Sequence, residues 1–196
     1  MIKRAFDIFF SFAGLIILSP VLFIIAVLIK SDSKGPVIFK QLRVGKDNRD
    51  FMLLKFRTMK INSDKEGLLT VGGRDSRITG AGYFLRKYKL DELPQLLNVL
   101  IGNMSFVGPR PEVRKYVDLY DEKQKRVLEV RPGITDIASI KYRNESELLK
   151  EAKDPEEFYI NKIIPDKIRL NLEYINDNSV FKDFEVIIKT FKAIIN

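Results

Sequence analysis

Positions 8–29 are uncharged and almost wholly apolar, and beyond them the hydrophobic pattern breaks into short alternating and amphipathic pieces. As one continuous helix this segment would extend about 33 Å, enough to cross a bilayer core of about 30 Å. Ser19-Pro20 lies in its middle. Proline removes a backbone donor and clashes with the preceding turn, so a sharp break is expected there, with the Ser19 hydroxyl as a local partner for the freed backbone. Lys3 and Arg4 stand on one side and Lys30 and Lys34 on the other. Charge therefore assigns no direction to a crossing, and a kinked single span and a segment that dips in and returns both fit. No small-residue cleavage site follows, so a removed leader is not expected.

Residues 36–39 and 51–56 read as short strands around a turn at 45–48, a basic hairpin. The Gly-rich, polar stretch 61–82, with Gly72-Gly73 and Gly80-Ala81-Gly82, reads as loop, and 83–100 has helical spacing interrupted at Pro94. A second loop is expected at 102–111, a charged helix at 112–129, a turn at 131–133 and acidic helices within 145–176. In Val180–Ile195, helical spacing puts Phe181, Phe184, Ile188, Phe191 and Ile195 on one face, suited either to a lipid interface or to a core. Together these elements predict one domain over 1–196, mainly α in a small α+β fold, with a membrane helix at 1–30 and several interfacial amphipathic helices.

Charge sharpens this outline. Residues 1–60 hold 11 Lys and Arg against 4 Asp and Glu, whereas 61–196 are nearly balanced at 23 against 22. The excess thus sits beside the most apolar segment, as suits contact with anionic lipid or an anionic substrate. The chain has no His and no Cys. This excludes disulfides, thiol nucleophiles and His-dependent triads, leaving carboxylates, Lys, Arg, Tyr, Ser or a metal held by oxygen.

The carboxylates that attract attention are Asp91 and Glu92, preceded by Arg86, Lys87 and Lys89 and followed by Leu93-Pro94. Adjacent carboxylates can divide the work of nucleophile and Mg²⁺ ligand. An isolated Asp-Glu-Leu-Pro would be explained well enough by Asp91 capping a helix. The cations alter the weighing: Lys55, Arg57, Arg77, Arg110 and Arg131 stand in stiff, turn-rich settings, where an arginine fork suits phosphate oxygens. No Walker A loop or complete dinucleotide fingerprint is present. A basic module that binds anionic lipid or nucleic acid without catalysis is the alternative, but the basic stretches lack interleaved aromatics that stack bases.

Several of these stretches occur together in order. Lys3-Arg4 with Asp7, the Ser19-Pro20 break, 35–39 with Gln41 and Arg43, 55–59, 90–95, 104–111 and 131–135 resemble the bacterial sugar transferases, the monotopic phosphoglycosyl transferases, over about residues 1–145. The resemblance implies transfer of a sugar 1-phosphate from a UDP-sugar to a polyprenyl phosphate such as undecaprenyl phosphate. UMP is released, in the first membrane step of surface-glycan assembly. It implies Asp91 as a nucleophile that becomes covalently phosphorylated by the sugar phosphate, and Glu92 as an Mg²⁺ ligand. Lys55, Arg57, Arg77, Arg86, Arg110, Arg131 and Arg143 are the expected phosphate-binding groups. It further implies a re-entrant membrane helix broken at Ser19 and Pro20, and a minimal catalytic unit on the cytoplasmic face of the bacterial inner membrane. Membrane lipid is an expected partner, a homodimer is allowed, and nucleic acid is not expected. Lys89, Asp136, Ser139 and Tyr142 depart from the usual family pattern, which leaves the sugar open.

Overall fold

The computed structural model describes residues 2–195 apart from 64–66, 68, 73 and 74. Gly73 of the expected loop and the Ile195 side chain of the expected stripe lie outside the described residues. The chain opens with helix α1 (Ile2–Ile17) and helix α2 (Ser19–Asp32), bent by 61° at the break. Pro20 cannot donate to the Ile16 carbonyl, and the Ser19 hydroxyl does so instead at 2.8 Å. Among the described residues no single helix is long and apolar enough to cross a membrane, but the bent pair together is, by length and composition.

Strands β1 (Ile38–Val44) and β2 (Asp50–Phe56) form the expected antiparallel hairpin, with Ile38 opposite Phe56 and Val44 opposite Asp50. Asp47 and Asn48 take φ of 55° and 58° at the turn, a region these two side chains tolerate better than most. Helix α3 (Gly80–Lys87) begins three residues before the expected helix, because Thr79 caps it by accepting from the Gly82 N–H at 3.1 Å. Gly80-Ala81-Gly82 is therefore a first turn, not loop. The helical stretch up to Leu100 breaks earlier than Pro94: Lys89 adopts φ 55°, a tight turn at Leu90–Glu92 follows, and helix α4 (Gln95–Ile101) starts anew.

Strand β3 (Ser105–Val107) lies inside the expected 102–111 loop and pairs in parallel with β4 (Gly133–Thr135). Between them the expected 112–129 helix shrinks to α5 (Arg114–Val117) and a 3-10 turn at Gln124–Glu129. Short helices α6 (Ile137–Lys141), α7 (Glu145–Glu151) and α8 (Pro155–Phe158) lead to α9 (Ile164–Asn176) and α10 (Val180–Ile195). The described residues are thus mainly helical, with two small two-stranded sheets among them.

The largest core cluster joins Val44, Tyr116, Leu149, Ile163 and Ile168, while Ile25 and Ile29 of α2 pack on Phe56 and Leu85. The bent helix pair is therefore fastened to the hairpin and α3. Arg57 strengthens that joint by donating to the Ser33 carbonyl at 2.8 Å, to the Ile29 carbonyl at 3.4 Å and to the Lys34 carbonyl, closing the end of α2. Arg4 caps α4 in the same way, reaching the carbonyls of Val99 and Leu100 at 2.6 and 2.9 Å. On α10, Asp183 and Val186 face inward, whereas Phe181, Phe184, Ile188 and Phe191 are exposed, so this stripe is not a core face.

Candidate active site

Asp91 and Glu92 sit on the tight turn between α3 and α4, only 6% and 8% exposed. Asp91 does not cap α4, whose start receives no side-chain hydrogen bond. β2 brings Lys55 to Glu92, Nζ to Oε1 at 3.3 Å. The segment leaving β3 brings Arg110, whose Nη2 donates to Glu92 Oε1 at 2.5 Å and whose Nη1 donates to Oε2 at 3.3 Å. Arg86 at the end of α3 interacts electrostatically with Asp91 and reaches Thr70 Oγ1 at 3.5 Å.

The two carboxylates live in opposite environments. Burial alone would raise Glu92, but Arg110 and Lys55 outweigh it and hold the carboxyl well below its usual range. Glu92 in turn raises Arg110 above its ordinary value. Asp91 is raised, chiefly by burial, with Lys55 only partly opposing. Its Oδ1 is buried and has no hydrogen-bond partner among the described residues. Burial also lowers Lys55 to about 8, against the pull of Glu92. An unpaired, desolvated carboxylate oxygen beside three cations is suited to attack an electrophile that carries negative oxygens, such as phosphorus in a diphosphate.

Asp91, Glu92, Lys55, Arg86 and Arg110 are thus brought together. The other four expected cations are engaged elsewhere. Arg57 closes α2. Arg77 pairs with Asp75 at 2.6 Å and donates to the carbonyls of Gly67 and Leu69, organising its own loop. Arg131 donates to the Gly102 carbonyl at 2.8 Å, and Arg143 to the Ala193 carbonyl at 3.3 Å at the surface.

Sequence reasoning missed the supports behind Arg110. Arg43 donates to the Pro111 carbonyl at 3.0 Å and approaches Glu112 at 3.5 Å, while the Tyr159 hydroxyl donates to the other Glu112 oxygen at 2.5 Å. Asp136, buried at the start of α6, accepts from the Arg110 main-chain N–H at 2.8 Å. Its signal was present as an Asp three residues before Ser139, an N-cap pattern. Of the other departures from the family pattern, Tyr142 turns away and donates to Asp166 at 2.8 Å.

Among the described residues, no three Asp, Glu, His or Cys side chains converge to hold a metal ion by themselves. Mg²⁺ commonly takes one or two carboxylates and completes its shell with substrate phosphate and water. Glu92 Oε2, engaged by a single 3.3 Å contact, keeps acceptor capacity, so the residues present fit a substrate-completed site.

The model of the bacterial sugar transferase family matches residues 1–196, and the chain belongs to that family. It is 39% identical over 197 residues to a UDP-N-acetylgalactosamine-undecaprenyl-phosphate N-acetylgalactosaminephosphotransferase of Aeromonas hydrophila, covering 99% of this chain and 44% of that relative. It is 38% identical over 205 residues to a UDP-glucose:undecaprenyl-phosphate glucose-1-phosphate transferase of Escherichia coli K12, covering 100% of this chain and 41% of the relative. An exopolysaccharide production protein of Rhizobium leguminosarum bv. phaseoli is 38% identical over 199 residues, with 97% and 93% covered. The chain therefore spans less than half the length of the first two relatives.

Proposed function

We propose that the protein transfers a sugar 1-phosphate from a UDP-sugar to a polyprenyl phosphate, with undecaprenyl phosphate as the acceptor named in its relatives. The observation that carries this reading is the buried Asp91 oxygen without a partner, beside a Glu92 already neutralised by Arg110 and Lys55. An Asp91 oxygen attacks the sugar-bearing phosphorus. The bond from that phosphorus to the bridging oxygen breaks, and UMP leaves with the electron pair. An oxygen of the polyprenyl phosphate then attacks the same phosphorus, the aspartyl bond to phosphorus breaks, and Asp91 is regenerated.

Lys55, Arg86 and Arg110 orient the diphosphate and offset charge gathering on its oxygens in a water-poor site. Glu92 would hold Mg²⁺, which supplies further neutralisation of the phosphates when bound. The bent α1–α2 pair seats the protein in one leaflet with both flanks on the cytoplasmic face, and the exposed stripe of α10 lies at the lipid surface. The relatives named differ in the sugar they carry, so the sugar follows from none of them.

The test is UMP release by detergent-solubilised protein given Mg²⁺, undecaprenyl phosphate and a panel of UDP-sugars. Release with a donor and its loss in Asp91→Asn support the reading, and folded protein that releases no UMP with any donor overturns it.

A further inference from the structure

The segment that carries Arg110 is held by its main chain on both sides. The Gly133 N–H donates to the Pro109 carbonyl at 3.0 Å, Arg43 donates to the Pro111 carbonyl at 3.0 Å, and the Val44 N–H donates to the Glu112 carbonyl at 2.9 Å. Within Pro109-Arg110-Pro111 the prolines have no N–H, so Arg110 has the only main-chain donor of the triplet. That donor goes to Asp136 Oδ2 at 2.8 Å. The other oxygen, Oδ1, accepts from the Ser139 N–H at 2.5 Å, and the Ser139 hydroxyl adds a 3.2 Å bond to Oδ2. One carboxylate, 1% exposed, therefore ties the start of α6 to the arginine that grips Glu92.

We propose that Asp136 is a positioning residue for the transfer reaction, fixing the Arg110 main chain so that its guanidinium meets Glu92 and the donor diphosphate together. This rests on the function proposed above. The proline rings fix φ at 109 and 111, so anchoring the one nitrogen between them fixes the direction in which the Arg110 side chain leaves the main chain, while its bonds to Glu92 hold the far end. A bond of this kind serves alignment, and misplacement by about 1 Å can cost on the order of a hundredfold in rate.

The two jobs of Asp136 can be separated. In Asp136→Ser the hydroxyl still caps α6 through the Ser139 N–H but is too short to serve Arg110 as well. The experiment measures UMP release, with kcat and KM for the donor, in wild type, Asp136→Ser, Arg110→Ala and the double variant, beside thermal unfolding of each. The expected result is a loss of about tenfold or more in kcat/KM for Asp136→Ser, with a fall in Tm from the unpaired Arg110 N–H that recurs unchanged in the Arg110→Ala background. In the Arg110→Ala background the same substitution should cost nothing further in kcat/KM, because a residue that acts through Arg110 has nothing left to position. An undiminished kcat/KM in Asp136→Ser, or an equal loss with and without Arg110, overturns the inference while the parent activity stands. Wild-type protein that releases no UMP brings down the parent reading and this inference with it.

Discussion

Arg110 grips both oxygens of Glu92, at 2.5 and 3.3 Å, and leaves Asp91 one residue away with an unpaired oxygen. The turn therefore holds two chemically different carboxylates, one locked in an ion pair and one kept free.

Asp91→Asn preserves shape and removes a carboxylate whose ionisation burial already opposes. Its Tm is expected to stay at or above that of wild type, while UMP release falls by at least about a thousandfold, as for other essential nucleophiles. Mass spectrometry after incubation with donor alone should find a phospho-sugar adduct on the peptide containing Asp91 in wild type and none in the variant. An adduct on any other residue would refute the assignment.

Arg110→Ala should lose stability as well as turnover, because it takes both guanidinium bonds from the buried Glu92 and leaves it the 3.3 Å contact from Lys55. Breaking a buried pair costs about 3–5 kcal/mol, and the partial exposure of Arg110 lowers the expectation to roughly 2 kcal/mol. Adding Glu92→Gln removes the stranded charge, so the double variant should recover more than half of the lost Tm without recovering activity. Chemical unfolding in detergent measures the first effect, and UMP release the second.

Lys55 sets an expectation for pH. Burial lowers it to about 8, below the value of about 10.4 for an unfolded lysine. The native state thus disfavours its ammonium form, and this penalty on stability is full below pH 8 and fades as pH rises toward 10. Activity should move the opposite way, falling as pH passes through about 8 and the cation that faces the phosphates is lost. Lys55→Arg should shift that decline upward in a kcat/KM profile from pH 7 to 9.5. A profile with the same alkaline limb in both proteins would exclude Lys55 as its source.

The break at Ser19-Pro20 can be tested by topology, and the absence of native cysteine makes any introduced thiol unique. Ile2→Cys and Lys34→Cys, both exposed, should react with an impermeant reagent only from the cytoplasmic side. Combining Ser19→Ala and Pro20→Ala restores the α-helical hydrogen bond and should straighten the pair, exposing Ile2→Cys to the outside. Outside labelling of Ile2→Cys without those substitutions would establish a crossing helix instead.

The hairpin was legible because alternation and turn residues are local signals, and the helix break because proline acts within one turn. The β3–β4 pair was not. Its strands are three residues each, paired across some 25 residues of chain, and it depends on Gly108 and Gly133 packing backbone to backbone. A Cβ on Gly133 would come within 2.2 Å of the Gly108 nitrogen. Nothing in either short segment announces the other. At the site, the adjacency of Asp91 and Glu92 was visible, but the division between them depends on Arg110, 18 residues on. Rigid surroundings were a sound guide to engaged arginines and a poor guide to their partners, since the fork that fits a phosphate also fits a pair of carbonyls. Arg57 and Arg77 took the second use.

Arg57 follows directly on β2, two positions beyond Lys55, and an extended chain advances about 6.5 Å over that interval. The residue that bolts down the end of α2 and the residue that touches Glu92 are thus neighbours on one stiff rod. With the bent pair seated in a leaflet as proposed above, the protein would carry its chemistry at a fixed height, like a gauge resting on a surface. The phosphate of the proposed acceptor, held at the depth its own tail dictates, would then meet the site only where those two heights agree, making leaflet thickness a variable in the rate.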